Sequence, residues 1–253
     1  MKIIGLIPVR LRSRRLHEKP LLKINNLPMF VHVYKRAKMS KLLDELIVCC
    51  DDKKIINTCK KFNIKSMITS KKHVNGTERI LEGYKKIRKN YDLVIDIQGD
   101  EPLLNPNHID KVIKFHKKNK KADIILPSLK IKYCENPNIV KVVTNNENKV
   151  VYLSRGSVPY FYKKKKEFIN KHLSIISFRP KALIKFSKQK KTKLEKLENV
   201  ELLRALEIGL NIMSFELKGD SFSVDVKKDY LKASRQIRRD KFFKKYKLKN
   251  YDY

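Results

Sequence analysis

Glycine-rich phosphate cradles are missing from this chain. Neither GxGxxG nor GxxxxGK followed by Ser or Thr occurs in its 253 residues, so a bound nucleotide would be gripped by Arg and Lys side chains with some backbone amides. The four cysteines, Cys49, Cys50, Cys59 and Cys134, form no CxxC pair and have no histidine at zinc spacing; they read as small core residues in a reducing cytosol. No apolar run is long enough for a bilayer. Ile3 to Val9 stops at Arg10, too short for a signal peptide or a span, so a cytoplasmic protein without membrane insertion is expected. Acidic residues are also scarce, 26 against 60 Lys and Arg, for a formal charge of +34. Such a field draws phosphates, nucleotides and nucleic acid alike. The lysines are dispersed along almost every segment, which a general lysine bias explains better than selected binding, and no specific nucleic acid is expected.

What is present reads as an α/β protein. Hydrophobic residues make up 42% of the chain, in both helix and strand periods, which argues for a folded globule. Ile3 to Pro8 is a nearly continuous apolar run, the pattern of a strand buried on both faces of a parallel sheet. Leu46 to Cys50 and Leu93 to Ile95 repeat that pattern. Between them, helices open at Pro28, after Asp51-Asp52 and at Asn75-Gly76-Thr77, and a further one starts at Asn105-Pro106. This alternation predicts right-handed crossovers and a mostly parallel central sheet. The order then changes: Ile139 to Val143 and Val150 to Leu153 flank a polar turn and read as an antiparallel hairpin. Its edge is a candidate for pairing with a second copy, so a homodimer is expected. Residues 1–253 are read as one domain, with 134–172 as the hairpin subregion. A strand in Asp123 to Ile131 interrupted at Pro127, a loop at Lys163 to Lys166, a strand over Leu173 to Phe178, one helix over Leu197 to Gly209 and a strand over Ile212 to Leu217 complete the pattern. Ser223-Val224-Asp225 then leads into a closing helix, and Arg235 to Tyr253 is read as a basic amphipathic helix with a frayed tail.

Two stretches carry chemistry. Asp96-Ile97-Gln98-Gly99-Asp100-Glu101-Pro102 follows the Leu93 run and would leave the sheet at the carboxyl end of a strand, where open α/β sheets bind ligands. Carboxylates there can hold a metal over a phosphate. The basic segment from Arg10 to Lys19 leaves the first strand, where a triphosphate would sit.

Taken in order, the motifs resemble the CMP-Kdo synthetases, the 3-deoxy-manno-octulosonate cytidylyltransferases. They are Ile7-Pro8-Val9-Arg10 through Arg15 to Lys19-Pro20-Leu21, Gly76-Thr77-Glu78-Arg79, Gln98 to Pro102 and Asn136 to Val143. Ser154-Arg155 with Pro159, Leu197-Glu198 to Leu202-Leu203-Arg204, and Val224-Asp225 follow. The resemblance implies a Rossmann-like nucleotidyltransferase fold whose hairpin insertion serves dimerisation. It implies cytidylyl transfer from CTP to an acidic 2-keto sugar for lipopolysaccharide or capsule. Arg10, Ser13, Arg15 and Lys19 match the nucleotide loop, with Arg15, Lys19 and Asp100 carrying the reaction. Asp100 and Asp225 match carboxylates that hold Mg²⁺; Gln98 and Arg79 match nucleotide- or sugar-facing positions; Arg155, His172 and Glu201 match the sugar pocket.

The chain also departs from that pattern. Arg12, Arg14, His17 and Glu18 stand where the family has small, uncharged residues and a Pro-Gly; His172-Leu173-Ser174-Ile175 lacks a glycine and an aromatic; Val226-Lys227 replaces Thr-Pro. These changes leave the acceptor open between Kdo, its 8-amino analogue and a sialic-acid-like sugar. A basic nucleic-acid-binding protein is the competing class, and it leaves the ordered motifs unexplained.

Overall fold

In this computed structural model, the described residues are 1–13, 15–162, 167–219 and 221–247. The elements of the first half are β1 (Ile3–Val9), a 3₁₀ turn at Lys19–Leu21, the ribbon β2 (Lys23–Ile24) and β3 (Leu27–Pro28), α1 (Met29–Ala37), β4 (Glu45–Cys50), α2 (Lys53–Lys61), β5 (Ser66–Ile68), α3 (Gly76–Ile87), β6 (Leu93–Ile97) and α4 (Pro106–Lys118). The second half holds β7 (Ile124–Ile125), β8 (Ser128–Lys132), β9 (Lys141–Thr144), β10 (Val150–Ser154), β11 (Phe168–His172), β12 (Ile175–Phe178), α5 (Pro180–Ser187), α6 (Lys193–Glu198), α7 (Leu202–Glu207), β13 (Ile212–Met213), β14 (Glu216–Leu217), α8 (Lys227–Arg238) and α9 (Phe243–Tyr246).

β1 is buried along its whole length, and its side chains divide between the two faces of the sheet. Ile3, Ile7 and Val9 join a core with α1, α2, α4, α8 and α9, while Ile4 and Leu6 join a second core with α3, α5 and α7. The main sheet has seven strands in the order β13-β7-β12-β6-β1-β4-β5. β1 pairs in parallel with both β4 and β6, and only β12 runs against its neighbours, β6 and β7. The mostly parallel sheet therefore forms as the alternating sequence predicts. Side-chain caps start its helices: Asp52 accepts from Lys54 N at 2.8 Å, Asn75 from Glu78 N at 2.9 Å and Asn105 from Asn107 N at 3.0 Å.

Four expectations change. The strand interrupted at Pro127 is two strands in two sheets, because a residue without an N–H cannot continue the ladder. The run Ile212 to Leu217 divides in the same way, and the two crossings lie side by side: β13 pairs with β7 in the main sheet, and β14 with β8 in a five-stranded sheet ordered β10-β9-β11-β8-β14. The helix over Leu197 to Gly209 is broken into α6 and α7 by Asn199, which takes a left-handed conformation at φ 51°. Lastly, β11 was not foreseen, since Phe168-Ile169-Asn170-Lys171-His172 has a weak period-two signal. It is fixed instead by pairing with β8 over five residues. The expected loop at Lys163 to Lys166 and the tail from Leu248 lie outside the described residues.

The C-terminal helices are locked to α1 rather than loosely appended. Fully buried Arg36 donates to Asp240 Oδ1 at 2.5 Å, Tyr246 Oη at 3.1 Å and the carbonyl of Leu104 at 3.1 Å. His32 lies between Tyr246 Oη at 2.9 Å and the carbonyl of Ile24 at 2.7 Å. Among the described residues no helix is long and apolar enough to cross a membrane.

Burial depresses the pKa of His32 and of His116 to about 4. Both are neutral in the fold and protonate on unfolding, so their contribution is present above the unfolded pKa near 6.5 and is lost as pH falls toward 4. Urea melts at pH 7 and pH 5 are expected to show a loss of about 2 kcal/mol for each histidine, reduced in His32→Gln.

Candidate functional site

The site lies at the carboxyl ends of the adjacent parallel strands β1 and β6. β1 delivers the basic segment Arg10 to Lys19, and β6 delivers Gln98, Gly99 and Asp100. These two exits touch at Gly99, where a Cβ would stand 3.0 Å from both the carbonyl oxygen of Pro8 and Val9 Cγ2, so a larger residue would push the two segments apart.

Asp225 reaches the same place from the far end of the chain. Val224 N donates to the carbonyl of Asp100 at 2.9 Å, and the Asp229 carboxylate accepts the N–H groups of Asp225 and Val226 at 3.0 and 3.1 Å, fixing the entry to α8. Lys19 Nζ then donates to Asp100 Oδ2 at 2.7 Å and to Asp225 Oδ1 at 3.2 Å. Arg15 Nη2 meets the same Asp225 oxygen at 2.7 Å. Burial alone would lower the Lys19 pKa; the charges and hydrogen bonds of Asp100 and Asp225 outweigh it, and the net shift is upward, so Lys19 stays cationic. Arg10 is exposed, and Ser13 Oγ accepts from Leu16 N at 3.4 Å within the loop. The departure at Arg14 lies outside the described residues.

Two carboxylates aimed at one ammonium group form an oxygen-lined place for a cation. Among the described residues no group of three His, Cys, Asp or Glu side chains is arranged to hold a metal. A divalent cation here would rest on Asp100, Asp225 and the ligand's own oxygens, a donor set that suits Mg²⁺.

Beside this pair opens a cavity of about 210 Å³ lined by Gln98, Asp100, Arg155, His172, Ser174 and Glu201, among others. Gln98 Nε2 donates to both oxygens of buried Asp96, at 2.9 and 3.0 Å. Thr77 Oγ1 donates to Glu201 Oε1 at 2.7 Å, while Glu201 Oε2 is buried without a hydrogen-bond partner among the described residues. Burial pushes the Glu201 carboxyl pKa up, and burial together with the charge of Glu201 raises that of Asp96 well above the carboxylate range. His172 is driven down to about 4 by burial and by the cations Lys171 and Arg155, so it faces the cavity neutral. Arg155 is clamped into the wall: its guanidinium donates to the carbonyls of Glu198 at 2.8 Å, Pro137 at 2.9 Å and Asn199 at 3.2 Å.

Arg79 departs from its expected place. Its side chain is 3% exposed and donates to Asp51 Oδ2 at 3.0 Å, Thr69 Oγ1 at 2.7 Å and the Ser70 carbonyl at 3.1 Å. A guanidinium engaged on three sides in the interior does not face a nucleotide or sugar. Its partner Asp51 accepts Leu11 N at 2.9 Å through the other oxygen, so Arg79 braces the root of the nucleotide loop from behind. Ser174 was missed as a cavity residue, although the period-two series His172, Ser174, Ile176 all reach the cavity and carried the signal. Ser221 and Ser223 had no signal at all.

Residues 4–213 match the family model described as "Cytidylyltransferase". The chain belongs to the cytidylyltransferase family. It is 40% identical over 234 residues to the 3-deoxy-manno-octulosonate cytidylyltransferase of Fusobacterium nucleatum subsp. nucleatum, covering 90% of this chain and 94% of that one. Against the mitochondrial 3-deoxy-manno-octulosonate cytidylyltransferase of Arabidopsis thaliana it is 35% identical over 245 residues, covering 94% and 83%. A solved CMP:2-keto-3-deoxy-manno-octonic acid synthetase complexed with CTP superposes with a TM-score of 0.89 at 30% identity, covering 94% of this chain and 99% of the other. HddC from Yersinia pseudotuberculosis, at TM-score 0.66 and 14% identity, shares the fold. This cytidylyltransferase is thus a nucleotidyltransferase enzyme with an α/β fold around a mostly parallel sheet.

Replacing Arg79 by Met leaves the half-ionic Asp51 cluster without its cation. A stability loss of about 3 kcal/mol is expected in urea melts, with weaker CTP binding through loss of the brace on the segment that starts at Leu11. Unchanged binding would remove the bracing role.

Proposed function

We propose that the chain transfers the cytidylyl group of CTP to the anomeric hydroxyl of Kdo, giving CMP-Kdo and pyrophosphate for lipopolysaccharide or capsule. The observation that supports this most directly is the meeting of Asp100, Asp225, Lys19 and Arg15 at the mouth of the Arg155–His172–Glu201 cavity. A triphosphate across the first group and an acidic sugar in the second would bring the α-phosphorus and the sugar hydroxyl together. The sugar oxygen forms a bond to the α-phosphorus in line with the P–O bond to pyrophosphate, which breaks. Catalysis then rests on positioning and charge neutralisation. Arg10, Ser13, Arg15 and Lys19 hold the phosphates, and Arg15 and Lys19 stabilise the charge that leaves with pyrophosphate. Asp100 and Asp225 would hold Mg²⁺, which when bound supplies charge neutralisation at the α-phosphate and a lower pKa for the attacking hydroxyl.

In the cavity, Gln98 fixes a sugar or base group by hydrogen bonding, and Arg155 supplies the cationic wall that an acidic sugar requires. Neutral His172 offers one donor and one acceptor without competing charge. Glu201 lines the cavity and has one carboxyl oxygen without a hydrogen-bond partner among the described residues, which supports a role for it toward a sugar hydroxyl. Ser174 faces the cavity where the family pattern has glycine, and it supports a second reading in which the acceptor is an 8-amino analogue or another 2-keto acid.

The β9–β10 hairpin lies at the edge of the five-stranded sheet with Val151 52% exposed, which supports its use in a homodimer. Dependence on CTP and four free cysteines suit a cytoplasmic enzyme.

The test is pyrophosphate release with Mg²⁺, offering each of the four ribonucleoside triphosphates against Kdo, 8-amino-Kdo and sialic acid. Release with CTP and Kdo is expected; release with a different sugar would reassign the acceptor, and silence from folded protein would defeat the reading. Asp100→Asn and Asp225→Asn are each expected to lower turnover about 10³-fold without loss of the fold. Ordinary activity in both would remove the two-carboxylate scheme.

A further inference from the structure

In the Asp96–Pro102 motif this scheme uses Asp100, while Asp96 is held by Gln98 and Glu101 is left without a role. Glu101 is 4% exposed, and a carboxyl so buried must be hydrogen-bonded to be tolerated. Besides Ser174, its partners come from the segment that leads into Asp225. Ser221 Oγ donates to Glu101 Oε2 at 2.5 Å, and Ser223 Oγ to Oε1 at 3.4 Å. The neighbouring backbone joins the same two segments, with Val224 N on the Asp100 carbonyl at 2.9 Å. Lys171 Nζ, from β11, donates to the Ser221 carbonyl at 2.5 Å and holds the serine segment from its other side. The far ends are tied as well, since Arg36 bridges the Leu104 carbonyl beyond the motif and Asp240 beyond α8.

The consequence is geometric. Asp100 and Asp225 adjoin the residues so joined: Asp100 precedes Glu101, and Asp225 follows Val224. Lys19 bridges the two carboxylates at their side chains, while Asp229 fixes the backbone of Asp225 without a link to Asp100, so the placement of one carboxylate's backbone against the other's rests on the contacts between residues 100–101 and 221–224. Among the described residues, the side-chain hydrogen bonds between these two stretches run from Ser221 and Ser223 to Glu101. Burial, opposed by the hydroxyls of Ser221 and then Ser174, raises the Glu101 pKa.

We propose that Glu101 is a positioning residue: its carboxyl clasps Ser221 and Ser223 against the Asp100 turn and thereby sets the Asp100–Asp225 separation on which divalent-cation-dependent CTP binding depends. The inference rests on the two-carboxylate reading above. Glu101 acts through Asp100 and Asp225 and is not itself a ligand to the cation. That distinction is testable, because a clasp needs hydrogen bonding whereas a ligand needs charge.

The experiment is calorimetric titration of the full chain with CTP, once in Mg²⁺ and once in EDTA, with no sugar present and therefore no turnover. Glu101→Ala and Ser221→Ala are each expected to weaken CTP binding about tenfold in Mg²⁺ and to leave binding in EDTA within about twofold, the pattern of a lost outer support to a metal site. Glu101→Gln, which keeps the shape and the hydrogen-bonding capacity, is expected to stay within about threefold of the unaltered protein under both conditions. Should Glu101→Ala fail to fold, Ser221→Ala and Ser223→Ala carry the comparison. The clasp is overturned if Mg²⁺-dependent binding is unchanged in the alanine variants. Equal losses with and without Mg²⁺ would also overturn it, since they mark general loosening, as would a Glu101→Gln defect as large as that of Glu101→Ala. If the unaltered protein binds CTP no better in Mg²⁺ than in EDTA, the metal reading fails and the clasp falls with it. A clasp failure alone leaves the Mg²⁺ effect of the unaltered protein intact, so the two failures are distinguishable.

Discussion

One ammonium group joins the two ends of this molecule. Lys19 Nζ lies 2.7 Å from Asp100 and 3.2 Å from Asp225, and these two carboxylates belong to segments on opposite sides of the chain's midpoint. Bringing like charges together in a partly buried place is unfavourable unless a cation accompanies them. Lys19 supplies that charge, and Arg15 shares the Asp225 oxygen with it. Substrate phosphates would compete for both cations. The same contact thus holds Asp100 and Asp225 in register and keeps both cations beside them.

Much of the surrounding structure keeps that contact in place from a distance. Asp51 and Arg79 brace the root of the loop at Leu11, and the serines of 221–223 seal the entry to Asp225 against Glu101. Arg36, wholly buried, draws the Leu104 carbonyl, Asp240 and Tyr246 onto α1, so the C-terminal helices are part of the same assembly. Buried polar groups of this kind hold one geometry firmly when each is satisfied. The cavity has a different electrostatic character from the surface. Although the chain carries +34 overall, the carboxyls of Asp100 and Glu201 line the cavity, and burial raises the pKa of Glu201 and of Asp96, which lies against Gln98.

The sequence announced local features well. Continuous apolar runs marked β1, β4 and β6, and Asp51-Asp52, Asn75 and Asn105 marked helix starts that their side chains do cap. Motif order was enough to bring Asp100, Asp225, Lys19, Arg155, His172 and Glu201 to attention together. It misled where a residue type allows two uses. An arginine such as Arg79 serves equally well on a ligand or on a buried carboxylate, and only its surroundings decide between them. The unbroken period over Leu197 to Gly209 likewise hid the turn at Asn199, because periodicity does not report a single left-handed residue.

By itself the sequence determined which segments become buried strands, which residues open the helices, and which charged groups stand at the strand exits, since these follow from local periodicity and capping chemistry. Only the tertiary structure decided that Asp225 meets Asp100 across Lys19, that Arg79 turns inward, that β11 completes a second sheet, and that Glu101 faces Ser221 and Ser223. Those outcomes depend on contacts between groups far apart in sequence, and local pattern carries no record of which distant groups packing will bring within hydrogen-bonding distance.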